Sequence, residues 1–373
     1  MPYIGYSNRG CYRINSEGER QLPKASKKIG VGIIGSGGIA QGAHMPGYAA
    51  IPGECEIIAV ADVDKNVAKK AADQFKVPNL FTDYKKMLEM DEIQAVSVCT
   101  PNFLHMQPTL DALKAGKHVL CEKPMAMSAS EARKMVDAAK KAGKLLQIGY
   151  NSRFSPSNQL LKKYIEAGEL GEIYFARAQA LRRRGIPGWG VFIDKEKQGG
   201  GPLIDIGVHI LDLTLWLMGH PKPIAASGQT YAKFGHRDDV VGFMGQWDYK
   251  KFTVEDFAAA LIRFDNGATI ILESSFAANL KEDVYNSTLC GTEGGAETNP
   301  PRIIQEKHRS LVSYTPDFPG GNVNTHHAEV KSFIECIKKG EKPLVTGEQG
   351  MMVAQIMDAI YASSEAGKEV SIA

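Results

Sequence analysis

Residues 29–40 read IGVGIIGSGGIA, an apolar run that breaks into a glycine turn and resumes with small residues. A continuous apolar run that ends in a turn is the signature of a strand buried on both faces, as in parallel sheets. Gly35, Gly37 and Ala40 fit the spacing G-x-G-x-x-A, and each has its own physical reason. Gly35 permits a tight turn, Gly37 lets the backbone approach a pyrophosphate, and Ala40 lets the next helix pack close to the strand. Gly38 and Ile39 complete a loop whose free N–H groups face phosphates. Glycine is common in turns, so the motif acquires weight from what surrounds it.

Further apolar strands follow at EIIAVAD (56–62), QAVSVCT (94–100), KHVLCEK (117–123) and KLLQIGY (144–150), each separated from the next by a helical stretch. Ser128 with Glu131 predicts a capping box before a helix that Gly143 closes, and Gly116 closes the helix after Asn102. This alternation predicts an α/β, doubly wound parallel sheet, a Rossmann domain over residues 29–150. Asp62 ends the second strand, where a carboxylate accepts hydrogen bonds from an adenosine ribose and repels a 2′-phosphate, which points to NAD over NADP. The alternative is that Asp62 caps the helix starting near Asp64. Thr100-Pro101-Asn102 with His105, and Glu122-Lys123 before Pro124, follow the third and fourth strands. Ligands of open parallel sheets bind beyond this carboxyl edge, so these residues are expected to border the nicotinamide.

Past Tyr150 the alternation stops. A helix (163–170), a strand (172–181) and the loop RRRGIPGWG (182–190) lead into QGGGPLIDIGVHILDLTLWLMGHP (198–221). Pro202 suits a first helical turn and Gly219 a stop, so 202–218 reads as one helix with Asp205 and His209 on one face and Asp212 and Trp216 nearby. Ile204, Ile206, Val208, Ile210 and Leu211 make it apolar nearly all round, and an Asp–His pair on a buried helix requires a reason. TVEDFAAALIRFD (253–265) and GATIILESSFAA (267–278) join through Asp265-Asn266-Gly267 as a hairpin. Residues 151–373 are expected to form an α+β domain with a large, mostly antiparallel, open-faced sheet. Its free face implies a homodimer or homotetramer. Two helices, about 326–339 and 348–366, follow, the second near the domain junction.

The chain has 373 residues, more than one core usually holds, and 43% of them are hydrophobic, enough for two domains. Forty-four basic and 42 acidic residues leave +2, too little charge to indicate a nucleic acid or an anionic membrane as partner. Six scattered cysteines without a C-x-x-C pair suggest neither disulfides nor a metal site, and a reducing cytoplasm is the expected location. The first 28 residues hold no apolar stretch long enough for a signal-peptide core, and nowhere is there a run of 18 apolar residues. Residues 1–28 read either as a frayed tail or, through Tyr3, Ile4, Tyr6 and Tyr12, as an arm packed on a neighbouring subunit.

GSGGIA, TPNFLH (100–105), CEKP (121–124), NSRF (151–154) and GGGPLIDIGVH (199–209), in this order, resemble the glucose-fructose oxidoreductase / inositol dehydrogenase / rhizopine catabolism (Gfo/Idh/MocA) family, from about Lys28 onward. The resemblance implies NAD(P)-dependent oxidoreduction, with Lys123, Asp205 and His209 as the catalytic constellation. The leader departs from the commonest family pattern, which begins almost at the first strand.

Chemistry read from the residues agrees. Oxidising a sugar carbinol requires an acceptor for the hydroxyl proton, and His209, whose ordinary pKa is nearest neutrality, is a natural one, with Asp205 on the same face either orienting it or binding a neighbouring hydroxyl. Lys123 polarises the oxygen, and a lysine lowered in pKa by burial is an equal candidate for the base. Arg182 and Trp189 in the loop, with Tyr150, Arg153 and His326, are candidates for holding a polyhydroxylated ring: a sugar, an inositol, or a glycoside oxidised at C3. For the loop, the plainer reading is a solvated basic segment. The leading function is an NAD-dependent dehydrogenase of such rings. Two alternatives are an NAD-using enzyme that cleaves glycosides by oxidation and elimination, and a non-enzymatic dinucleotide-binding regulator, against which the retained Lys123, Asp205 and His209 count.

Overall fold

A computed structural model describes residues 4–7, 10–14, 20–21, 28–317 and 323–372, with side chains from residue 28 onward. Within the leader, Ile4–Ser7, Gly10–Ile14 and Arg20–Gln21 pair as a small antiparallel sheet. The rest of the expected arm lies outside the described residues.

Strands β1 (Ile29–Ile34), β2 (Cys55–Ala61), β3 (Asn79–Phe81), β4 (Ala95–Val98), β5 (His118–Cys121) and β6 (Leu146–Ile148) form a parallel sheet in the order β3-β2-β1-β4-β5-β6. The short β3 was not expected, because three half-buried residues show no periodicity. Sheet growth reverses between β1 and β4, and this switch point opens the crevice where a ligand sits. Gly35 adopts φ +81°, and a Cβ there would stand 2.8 Å from the carbonyl of Cys99 and the nitrogen of Thr100. The turn and the close approach of the end of β4 thus both demand glycine.

Past residue 150, β7 (Ile173–Leu181), β8 (Pro223–Tyr231), β9 (Phe257–Phe264), β10 (Thr269–Ser275), β11 (Val284–Gly291), β12 (Gly294–Thr298), β13 (Pro301–Lys307), β14 (Ser310–Tyr314) and β15 (Val370–Ser371) form a second sheet. Its order is β14-β13-β12-β11-β7-β10-β9-β8-β15, and β7 with β10 is its one parallel pair among the described residues. The β9–β10 hairpin turns on Gly267 at φ +84°, as the Asp-Asn-Gly signal predicts.

One face of this sheet packs on helix Val208–Leu217, in which every residue but His209 is buried. The stretch Lys195–Leu217 is long and apolar enough to cross a bilayer, yet 94% of its apolar window is buried inside the fold, which makes it a core element. Helix Gly347–Ala366 packs on both β8 and helix Ala129–Ala142, bridging the sheets as expected. Helix Thr325–Lys339 returns to the first sheet, where Val330, Phe333 and Ile334 join Met45, Tyr48 and Leu120 in its core.

Two local expectations are corrected. The segment that was to be a regular helix from Pro202 begins with a π-helical turn, Leu203–Gly207. At Ser128 the hydroxyl does accept the N–H of Glu131, but Glu131 answers the N–H of Met127 instead of that of Ser128, so the box is not closed.

Candidate active site

Lys123 follows the end of β5 at the carboxyl edge of the first sheet, and Asp205 sits in the π-helical turn of the second domain. The Lys123 Nζ donates to the Asp205 backbone carbonyl at 2.9 Å and to Asp205 Oδ1 at 3.0 Å. The π-helical turn matters here. The wider turn takes that carbonyl out of the regular α-helical register, and the lysine reaches it. Glu255 secures the start of the turn by accepting the N–H groups of Gly201 at 2.9 Å and Leu203 at 3.2 Å, and it also takes the Tyr361 hydroxyl. Arg182 N–H reaches within 3.8 Å of Asp205 Oδ2, so Asp205 stands between two cations.

His209 lies beside this pair, its ring edge-on to Tyr150 with centroids 6.2 Å apart. Burial, and next the charge of Lys123, lower its pKa to about 3. The expectation that His209 titrates near neutrality is therefore corrected: burial first, and the neighbouring cation second, favour the neutral ring. Tyr150 is almost wholly buried and forms a wall under His209. His326 Nε2 lies 3.1 Å from the Asn151 amide, and its pKa is lowered by burial and raised in part by Glu122.

Glu122 is held at the back. His44 Nε2 meets Oε1 at 2.8 Å, the N–H of Lys123 meets Oε2 at 3.0 Å, and His44 in turn meets Ser97, which meets Tyr48. Burial alone would raise Glu122, but the His44 hydrogen bond and the neighbouring charges reverse this and hold its pKa at about 2. Both carboxylate oxygens are engaged, so the Glu122 side chain sets the backbone of Lys123. His105 is corrected: it is 1% exposed, with one ring nitrogen on the Pro124 carbonyl and the other on that of Thr100, clamping the two loops together. Arg153 is not available to substrate either. It is fully buried in a two-point pair with Asp212 at 2.6 and 2.9 Å and also donates to Leu344 and Gln349.

The dinucleotide crevice fits its group. Added Cβ atoms at Gly37 and Gly38 would meet nothing within 4 Å, so the loop borders open space. Thr100 Oγ1 is buried without a hydrogen-bond partner. Asp62 Oδ2 accepts the Ser36 N–H at 2.8 Å and Oδ1 that of Asp64 at 3.0 Å, which ties the end of β2 to the glycine loop. Ile39 is exposed beside it, and Asn102 reaches across to the Gln198 carbonyl at 2.9 Å. Trp189 stands apart from Lys123 and Asp205, lining a separate cavity with Trp247.

The sequence pattern did not reveal His44, Ser97, Glu255 or Glu329. Glu329 is fully buried, neither of its oxygens is hydrogen-bonded, and His326 Nδ1 lies 3.9 Å away. Burial, then Glu122, raise its pKa well above the carboxylate range, so it is a neutral acid.

Residues 29–150 match the model of an oxidoreductase family, NAD-binding Rossmann fold, and residues 162–372 that of the same family's C-terminal alpha/beta domain. The chain is 37% identical to D-glucoside 3-dehydrogenase of Escherichia coli K12, over 93% of this chain and 98% of the relative. It is 30% identical to levoglucosan dehydrogenase of Pseudarthrobacter phenanthrenivorans, over 91% and 96%. A solved levoglucosan dehydrogenase in complex with NADH and levoglucosan superposes with a TM-score of 0.81 at 25% identity, covering 93% of this chain and all of that one.

Proposed function

Since the chain belongs to the Gfo/Idh/MocA oxidoreductase family, with its NAD-binding Rossmann fold and C-terminal alpha/beta domain, we propose that it oxidises a secondary hydroxyl of a sugar glycoside, at C3 of the ring, with NAD. The observation that carries this reading is the Lys123–Asp205 contact across the domains, at the mouth of the glycine-lined crevice. The relative named for action at C3 of a glucoside supports the choice of hydroxyl.

Bound in the crevice, NAD supplies a hydride acceptor. Gly35, Gly37 and Gly38 leave room for its pyrophosphate, and Thr100 offers a free hydroxyl at the edge. The Asp62 carboxylate, at the ribose position, favours NAD over NADP by repelling a 2′-phosphate. Lys123, fixed by Asp205 and with Arg182 near, donates to the carbinol oxygen on which charge develops. The neutral His209 takes the hydroxyl proton. A weakly basic imidazole suffices, because the hydroxyl of a carbinol losing hydride acquires the acidity of a protonated ketone.

On the outward face of the second sheet, Leu261 pairs with Ile271 and Tyr231 with Phe257. This apolar patch supports a homodimer or homotetramer. The unpaired cysteines among the described residues (Cys55, Cys99, Cys121, Cys290 and Cys336) suit a reducing compartment.

The test is NADH fluorescence on mixing the protein and NAD with a panel of sugars, inositols and glycosides, followed by NMR of the product. A 3-keto glycoside is expected. Absence of NADH with every member would overturn the reading, and aglycone release with catalytic NAD would replace it with oxidation and elimination.

A further inference from the structure

We propose that the cavity walled by Trp189 and Trp247 is a subsite for the non-reacting part of a glycoside, so that the substrate carries a second ring, sugar or aromatic, and is not a free monosaccharide. This rests on the dehydrogenase reading above and deepens it.

The cavity has a volume of about 360 Å³, in the range of small-molecule sites. Trp189 is 54% exposed and touches Phe192 edge-on, with centroids 6.1 Å apart. Trp247 is fixed by its indole N–H, which donates to the Gly235 carbonyl at 2.8 Å. Indole faces accept the C–H face of a pyranose or an aromatic ring. Around them, Lys197 pairs with Asp194 at 2.9 Å and Lys251 with Asp248 at 3.1 Å. These pairs set donors beside acceptors on the cavity wall, a pattern that suits ring hydroxyls.

Position supports the assignment. Lys197 precedes Gly201 by four residues, and the Gly201 carbonyl accepts the N–H of Asp205 at 2.9 Å. An extended chain rises at most about 3.6 Å per residue, so the Lys197 Cα lies within about 14 Å of Gly201. At its other end the same loop begins at Arg182, whose guanidinium is 3.8 Å from Asp205. Asn102 of the dinucleotide domain holds Gln198, the residue after Lys197, at the rim. The segment that lines the cavity is thus tied to Asp205 at one end through Arg182 and at the other through Gly201, and a second ring of the substrate is the group assigned to it.

The experiment compares kcat/KM with NAD for a methyl glycoside and a phenyl glycoside of the same sugar, in the intact protein and in Trp189→Ala and Trp189→Phe. The intact protein is expected to prefer the phenyl glycoside. In Trp189→Ala the phenyl-to-methyl ratio should fall about three- to tenfold through KM, and Trp189→Phe should restore most of it. Equal losses on both substrates, or no loss on either, would overturn the subsite. Calorimetric titration of the phenyl glycoside with NADH present, which cannot accept a hydride, reads the subsite without turnover. Weakening by a similar factor in Trp189→Ala supports it even if no NADH forms, an outcome that sinks only the dehydrogenase reading. Unchanged affinity overturns the subsite.

Discussion

Lys123 grips Asp205 twice, by the backbone carbonyl at 2.9 Å and by the carboxylate at 3.0 Å, so one cation from the dinucleotide domain is bound to both the main chain and the side chain of a single residue in the substrate domain. Removing it therefore removes a positioned charge, and not only a side chain.

Lys123→Ala should retain folding and NAD affinity and lose turnover by about a hundredfold or more, the usual scale for a charge-stabilising or proton-transfer group. His209→Ala should behave similarly, and the double variant should be little worse than the poorer single one, because groups acting on one proton are not additive. Steady-state rates and NAD fluorescence titrations decide it; ordinary turnover in Lys123→Ala on a confirmed substrate would refute the assignment.

Acid sensitivity follows from histidines held neutral. Burial and Lys144 put His118 at about 4, burial and Lys123 put His209 at about 3, and burial and Arg153 put His220 at about 3. Each folded pKa lies below the unfolded value near 6.5, so between these values the unfolded chain binds more protons. Their contribution is complete above about pH 6.5 and is lost as pH falls toward 3 to 4. Urea midpoints measured from pH 7 to 5 should decline less in His118→Gln than in the intact protein. The pH–rate profile should show no His209 inflection between pH 6 and 7.

Glu329 acts with the opposite sign. Its folded pKa is raised by burial, so it is protonated in the fold and ionises first when unfolded, which costs stability as pH rises above about 4.5. Glu329→Gln keeps the shape without the ionisable group. This variant should be more stable than the intact protein at pH 8, with the difference vanishing near pH 4. An equal thermal midpoint at both pH values would show that Glu329 is not a neutral acid in the fold.

Arg153→Met should destabilise by roughly 3–5 kcal/mol, since it leaves the buried Asp212 carboxylate without its partner. A joint Arg153→Met, Asp212→Leu variant should recover much of that loss. If Arg153 instead contacted substrate, the single change would raise KM with an unchanged denaturant midpoint.

The readable parts of this chain are those whose cause is local. Gly35 announces its positive φ and its neighbours, Asp265-Asn266-Gly267 announces a hairpin, and both stand as expected. The misread parts depend on partners far along the chain. Arg153 looks like a basic residue beside a cleft until Asp212, 59 positions on, is seen to meet it. The partner that holds Glu122 is His44, 78 positions earlier, which no local pattern reveals. The π-helical turn at Leu203–Gly207 has no composition signal, because it is imposed by the helix's surroundings. For His209 the sequence shows an ordinary imidazole, whereas its protonation is set first by burial and then by Lys123, 86 positions earlier in the chain.

The residues around 344–366 serve both halves at once. Gln147 bridges to Thr346, Gly350 fits against Ile148, the Leu344 carbonyl takes Arg153, and Gly228 leaves room for Ile360. A ribosome reaches this segment only after it has made nearly every strand of both sheets. During synthesis the dinucleotide sheet thus emerges with one flank of β6 bare and the neighbouring Arg153 guanidinium incompletely paired, and the second sheet waits with the cover of β8 still to come. One helix thus completes two cores, and both halves of the chain gain their final cover from the same late-made segment.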